Sequence, residues 1–192
     1  MTEILNDVLE VLKDFDPESA EYREFVAEVL RRVDPTRPLG TELYKAVARS
    51  SWNVYWESVS LRFNDDSGKV EVFMIKRDDS DPDWSGYWHV PGTALRPSDD
   101  ENTPKFRLSR EYGVPVSIVR VGDAGFGWYK IGDEGRGAGI SFVFLTDLER
   151  APEVSDTRGW FPVDDLPDPT VPAHVERIIP LAVTKFRARH NL

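Results

Sequence analysis

Residues 88–93 of this chain read WHVPGT, and residues 107–114 read RLSREYGV. The signals around the second stretch predict a short helix, with Thr103 as its N-cap, Pro104 as its first residue and Gly113 as its C-terminal stop. Within that helix the residues at positions 107, 110 and 111 are three and four apart, so they share one face. The two stretches therefore predict a turn that leads into a short helix with a charged face.

The residue pattern on both sides of these stretches predicts an α/β fold. Apolar residues alternate with polar ones from Ser58 to Phe63, and residues 64–68 read as a hairpin turn before a return strand at 70–75. Further strands are predicted at 115–121, 125–131 and 140–146, and a closing helix at 174–189. The alternation of strands with two helices indicates one core built on a sheet.

The N-terminal part of the chain follows a helical pattern instead. Apolar residues recur at helical spacing in residues 2–14, a second helix is predicted to start at Asp16-Pro17, and a short third helix is predicted at 42–48. The segment 34–40 is rich in Pro and Gly and reads as a linker. We therefore predict a helical extension over residues 1–50 and an α/β domain over residues 51–192.

The two opening stretches together resemble the box of the Nudix hydrolases, G-x5-E-x7-R-E-U-x-E-E-x-G-U, where U is a bulky apolar residue. The resemblance extends over roughly residues 58–187, because the strand ending at Lys76-Arg77 and the stretch 159–167, GWFPVDDLP, also match. It implies an α/β/α sandwich around a mixed sheet. It also implies that one helix, here called the box helix, carries the carboxylates that hold a divalent metal over a diphosphate.

Most carboxylate positions of the box hold other residues in this chain. In the register that begins at Thr93, Asp99 matches the loop glutamate and the segment is one residue short; in the register that begins at Gly92, Ser98 takes that place. In both registers Arg107 replaces the first helix glutamate and Arg110 replaces the first glutamate of the pair. On the helix Glu111 alone matches, so the resemblance is closer in fold than in catalytic residues.

The cations on the box helix suggest a site that binds phosphate without metal. Mg²⁺ requires several converging oxygen ligands, and two guanidinium groups on the same helix face would repel it. Guanidinium groups bind phosphate through charge-assisted, bidentate hydrogen bonds. We therefore predict that the chain binds a nucleotide or another diphosphate-containing ligand without efficient hydrolysis, through Arg77, Arg96, Arg107 and Arg110. The alternative is that Arg107 only pairs with Glu111 on an exposed helix.

A second interpretation keeps the chain as a divergent, metal-dependent Nudix hydrolase. Glu111 would then be the catalytic carboxylate, and Asp99, Glu111 and Glu134 would form a residual shell for Mg²⁺ or Mn²⁺. Its substrate would be a nucleoside diphosphate linked to another moiety. A third interpretation makes the fold a partner-binding or homodimerisation module.

Other candidate residues have simpler interpretations. His89 is expected to be a buried or edge residue of the strand that approaches the box, and His174 has no partner visible in the sequence. The aromatic side chains are expected to fill or cover the core, with stacking on a base or ribose as the alternative. They are Trp52, Tyr55, Trp56, Trp128, Tyr129 and Trp160.

Composition excludes several classes of function. The net charge of −10 argues against a duplex nucleic acid as partner, because such partners require many Lys and Arg contacts. The chain has no cysteine, so disulfides and thiolate metal sites are excluded. No apolar run is long enough to predict a membrane span, and the N-terminal residues do not read as a signal peptide. We therefore expect a cytoplasmic protein with a small-molecule ligand.

Overall fold

The computed structural model describes Glu10, Lys13, residues 16–34, Gly40, Leu43, residues 46–47, 53–79, Asp81, and residues 83–100, 102–120, 126–129 and 139–192. For residues 118–120 and 126–129 it describes the backbone alone. The chain divides into two compact units, Met1–Leu39 and Gly40–Leu192. Most of the predicted helices at 2–14 and 42–48 lies outside the described residues.

The described helix of the first unit is α1, Ala20–Arg31. Its N-cap is Ser19, whose hydroxyl accepts a hydrogen bond from the Tyr22 amide at 3.1 Å. The predicted start at Asp16-Pro17 is therefore wrong. The Asp16 carboxylate instead accepts a hydrogen bond from the Glu18 amide and closes a turn before the helix.

The described residues of the second unit form two sheets. The first sheet has the order β5-β1-β8-β6, with β7 also paired to β8. These strands are β1 (Asn53–Val59), β5 (Gly92–Ala94), β6 (Val116–Arg120), β7 (Phe126–Tyr129) and β8 (Gly139–Leu148). Strands β1 and β8 are parallel and the other pairs are antiparallel, so the sheet is mixed, as predicted.

The second sheet is antiparallel. It has the order β2-β3-β4, and β9 pairs with β3. Its strands are β2 (Leu61–Asn64), β3 (Lys69–Lys76), β4 (Trp88–His89) and β9 (Arg158–Pro162). The predicted hairpin is confirmed: residues 65–68 form the turn that joins β2 to β3.

Two helical segments of the second unit lie wholly within the described residues. The box helix, α2, spans Thr103–Tyr112. The C-terminal helix begins with a π-helical turn, His174–Ile178, and continues as α3, Ile179–His190, close to the predicted range. Among the described residues, no helix has both the length and the apolar character that a membrane span requires.

The main core lies between the two sheets and the C-terminal helix. The sheets contribute the buried side chains of Val59, Val72 and Val143, and the C-terminal helical segment contributes those of Ile178 and Ala182. A second cluster joins Phe73 and Val114 to Tyr112 of the box helix. Burial of each large side chain stabilises the fold by about 1.5–3 kcal/mol. The box helix and the C-terminal helix are therefore each attached to the sheets by apolar packing.

Candidate functional site

The ends of the box helix are fixed by residues close in sequence. The Asp100 carboxylate accepts hydrogen bonds from the Thr103 amide, the Thr103 hydroxyl and the Asn102 amide at 2.8, 2.7 and 3.0 Å. The N-cap position is Asn102, so the prediction of Thr103 is wrong by one residue, because Asp100 provides the side-chain oxygen. Gly113 ends the helix with φ of 71°, as predicted.

Tyr112 anchors the box helix to β1. Its side chain is fully buried, and its hydroxyl donates to the Ser58 carbonyl at 2.8 Å. The Ser58 hydroxyl is 3.1 Å from the Tyr112 hydroxyl and 2.6 Å from that of Thr146 on β8. Burial raises the pKa of Tyr112, so it stays protonated and acts as a donor. This anchor fixes the neighbouring Glu111.

Arg107 is held by β5 and by the loop between β5 and the box helix. Its Nη1 and Nη2 donate to the Asp99 carboxylate at 2.8 and 2.5 Å, its Nε donates to the Thr93 hydroxyl at 2.8 Å, and Nη2 also donates to the Ala94 carbonyl at 3.0 Å. Four of its five N–H groups are therefore engaged. Pairing of Arg107 with Glu111 on an exposed helix is not observed, so that alternative is wrong.

Glu111 is turned toward the start of β5. Its Oε2 accepts a hydrogen bond from the Gly92 amide at 3.0 Å. Burial raises the pKa of Glu111 to about 7, although the Gly92 bond and the charges of Arg77 and Arg107 lower it in part. The carboxyl group therefore changes its protonation state near neutral pH.

Glu57 is a second carboxylate at Gly92 that the sequence analysis missed. It lies opposite Gly92 in the pairing of β1 with β5, and it is 9% exposed. A Cβ atom on Gly92 would lie 2.2 Å from Glu57 Oε2, so residue 92 must lack a side chain for the carboxylate to fit. The available signal was its spacing from Val59, since residues two apart in a strand lie on the same face.

Arg77, which follows β3, lies near the remaining charged and polar side chains of the site, Asp81, His89 and His174. Its Nη1 donates to Asp81 at 2.5 Å, and its buried Nε has no partner among the described residues. The Arg77 charge acts on Glu111, His89 and His174, and the two histidine rings are 6.0 Å apart. Burial lowers the pKa of both histidines, to about 3 for His174, so both are neutral at pH 7.

The other predicted residues are distributed around the box helix. Arg110 is exposed on the helix and Arg96 is half-buried on the loop before it. Glu134 lies outside the described residues. Among the described residues, no group of three or more His, Asp or Glu side chains is arranged to hold a metal ion, and Asp99 is bound to Arg107.

Comparison with solved structures identifies the fold. The chain is similar to Shewanella oneidensis NrtR in complex with a 27mer DNA, with a TM-score of 0.56 and 16% identity over 71% of this chain and 63% of that one. It is also similar to the NUDIX domain of the same protein in complex with ADP ribose, with a TM-score of 0.52 and 17% identity, over 85% of this chain and 97% of that domain. The chain has a Nudix fold.

A MutT/nudix family protein from Listeria innocua has the same Nudix fold, with a TM-score of 0.50 and 17% identity over 72% of this chain and 96% of that one. No protein-family model matches the sequence, and no curated protein matches it. At these identities the likeness concerns the fold, and the chain spans 63% of the length of NrtR. The predictions about duplex nucleic acid and a homodimer therefore stay predictions.

Proposed function

We propose that the Nudix-fold domain binds a nucleotide or another diphosphate-containing small molecule without efficient hydrolysis. The observation that carries this proposal is the bidentate Arg107–Asp99 pair. It places a cation and its counter-ion where the resemblance implies metal-binding carboxylates. Glu111, the remaining carboxylate of the box, is already bonded to the Gly92 amide.

The four candidate arginines differ in how many of their N–H groups are already hydrogen-bonded within the protein. Arg107 contributes mainly by holding the loop, because most of its donors are used. Arg110 is exposed and Arg96 half-buried, and neither has an ion pair within the described part of the chain. Arg77 adds a buried Nε donor. Arg110 and Arg96 are therefore the first candidates for contacts to phosphate.

An aromatic surface on the same side of the sheet supports a nucleotide ligand. Trp56 lies opposite Thr93 in the pairing of β1 with β5, so its side chain projects to the same side as that of Thr93, which receives the Arg107 bond. Trp56 contacts Phe144 with ring centroids 4.6 Å apart, and the neighbouring Phe142 is 44% exposed. These rings offer a stacking surface for a base beside the cationic helix.

The test is a thermal-shift titration with ADP-ribose, nucleotides and dinucleoside diphosphates, run once in EDTA and once in Mg²⁺. A ligand at a hundredfold excess over Kd stabilises the folded state by about 2.7 kcal/mol. We expect a shift that persists in EDTA, is lost in the Arg96→Glu, Arg110→Glu double variant, and is kept in the control Arg150→Glu, which changes an exposed arginine. A shift that requires Mg²⁺, or that survives the double variant, would contradict the proposal.

The second candidate function is divergent, metal-dependent hydrolysis. The observation that favours it is Glu57, which brings a second buried carboxylate to Gly92 beside Glu111. Glu111 would be the catalytic carboxylate, with Asp99 and Glu134 as further candidate ligands. Hydrolysis predicts release of phosphate-containing products from the same ligands in Mg²⁺ or Mn²⁺, and loss of that release in Glu111→Gln. If product analysis of the wild-type protein shows no turnover, this candidate is excluded.

A further inference from the structure

The segment Trp88–Gly92, here called the strap, joins the C-terminal helical segment to the box helix. At its first residue, the Trp88 amide donates to the Pro169 carbonyl at 2.8 Å, and the Trp88 carbonyl accepts from the Val171 amide at 2.9 Å. At its last residue, the Gly92 amide donates to Glu111. The strap is therefore hydrogen-bonded at both ends to residues that are distant from it in sequence.

His174 holds the middle of the strap. Its Nδ1 accepts a hydrogen bond from the Val90 amide at 3.1 Å, which places its own proton on Nε2. His174 is 4% exposed and stands at the first position of the π-helical turn. Because a neutral ring is required for Nδ1 to accept, its burial keeps the bond intact near pH 7. The start of the C-terminal helical segment thus sets the position of Val90.

The strap between Val90 and Gly92 has little freedom to move. Val90 and Pro91 are fully buried, and a residue before proline is restricted to extended conformations. The Val90 carbonyl contacts His89 Nδ1 at 2.7 Å, and the Pro91 carbonyl accepts from the Ser58 amide at 2.8 Å. A displacement at Val90 is therefore passed on to Gly92, where the neighbouring Glu57 leaves no space for adjustment.

We propose that His174 is a positioning residue, which sets the Gly92 amide against Glu111 through the strap and so links the C-terminal helical segment to the candidate site. The inference about Gly92 stands on these contacts alone. Its consequence for ligand affinity rests on the proposed function. His174 need not contact the ligand itself.

The experiment is amide hydrogen exchange of the whole chain, followed by NMR at pH 7, for His174→Leu, His174→Gln and His174→Asn. Asparagine places an acceptor oxygen near the position of Nδ1, glutamine places it one bond further away, and leucine has none. We expect exchange of the Val90 and Gly92 amides to rise by about tenfold in the leucine and glutamine variants, and to return to within about threefold of wild type in the asparagine variant. Amides of Val72 and Val143 in the core strands serve as the internal reference.

Two outcomes would overturn the inference: unchanged exchange at Gly92 in both damaging variants, or an equal rise at Gly92 and at the core amides, which would mean a general loss of stability. If His174→Leu does not fold, the glutamine and asparagine variants give the same comparison. His190→Asn is the control, because His190 is exposed near the end of the last helix. ADP-ribose affinity is then measured on the same variants. Absence of binding of every ligand in the thermal-shift panel by the wild-type protein would refute the proposed function, whereas the amide comparison decides the role of His174 independently.

Discussion

Arg107 of the box helix and Asp99 of the preceding loop form a half-buried, bidentate ion pair, with N–O distances of 2.8 and 2.5 Å. The pair joins the loop to the helix at the position where the box resemblance implies a metal ligand. The Arg107 guanidinium is therefore part of the internal structure of the candidate site.

Loss of either partner is expected to destabilise the domain. Arg107→Gln or Asp99→Asn should lower the free energy of unfolding by about 2–3 kcal/mol, because a charged group remains in a half-buried place without its partner. The double variant should lose less than the sum of the two. Urea unfolding measures these values, and the exposed pair of Lys69 with Asp164 provides the control, for which Lys69→Gln should cost no more than about 0.5 kcal/mol.

The same pair has a defined response to acid. The Arg107 hydrogen bond lowers the pKa of Asp99 below its ordinary 3.8, so the pair's contribution is present above that pH and is lost as pH falls through the lowered pKa. The difference in stability between wild type and Asp99→Asn should therefore shrink below about pH 4. An undiminished difference at pH 2.5 would show that packing, not charge, accounts for the effect.

Glu111 is expected to make the domain less stable as the pH rises toward 8. Because its pKa is raised to about 7 in the folded state, folding favours the protonated form; this contribution is complete below the ordinary pKa of 4.5 and is lost as pH rises through about 7. Glu111→Gln mimics the protonated group, so its stability relative to wild type should increase by about 1–3 kcal/mol between pH 5 and pH 8.5. Glu153→Gln, at an exposed site, should show no such change.

His174 is expected to make the domain less stable as the pH falls, which is the opposite of the effect of Glu111. Burial lowers its pKa from 6.5 to about 3, so its contribution is present above pH 6.5 and is lost progressively as pH falls from 6.5 toward 3. Thermal unfolding scans of His174→Asn should therefore show a smaller decrease in Tm between pH 7.5 and pH 4.5 than those of wild type. An equal decrease would mean that other groups, His89 first, dominate the acid response of the domain.

Gly92 should not tolerate a side chain while Glu57 is present. Gly92→Ala is expected to cost about 1–3 kcal/mol, because the added Cβ would lie 2.2 Å from Glu57 Oε2. In a Glu57→Ser background the same change should cost clearly less. Gly159→Ala is the matched control, since its Cβ would make ordinary contacts at 3.5 Å. Equal costs of Gly92→Ala in the two backgrounds would contradict this interpretation of the site.

Features that depend on local sequence were predicted well. The box helix is found with its Pro near the start and its Gly at the end, because helix caps act within a few residues. The hairpin at residues 64–68 is likewise set by its own turn residues. The strand predicted over Ser58–Phe63 is divided in the structure between β1, which begins at Asn53 in the first sheet, and β2 in the second sheet, because the chain passes from one sheet to the other at Ser60.

Side-chain contacts that form only in the tertiary structure could not be predicted from local sequence patterns. Helical spacing suggests Glu111 as the partner of Arg107, but the partner found is Asp99, on the loop before the helix. Glu57 was hidden because a single carboxylate within a strand carries no motif. His174 showed no partner because it binds a backbone amide, which has no signature in the sequence. The fold followed from periodicity, whereas the composition of the site depended on tertiary contacts.

The hydrogen bond from Val90 to His174 also bears on the order in which contacts form during folding. It spans 84 residues of chain, so the loop must close over most of the second unit before the bond forms. Long-range contacts of this kind are entropically costly and form late in folding. During synthesis the strap and the box helix emerge before His174, so the bond that holds Val90 can form only after both have been made.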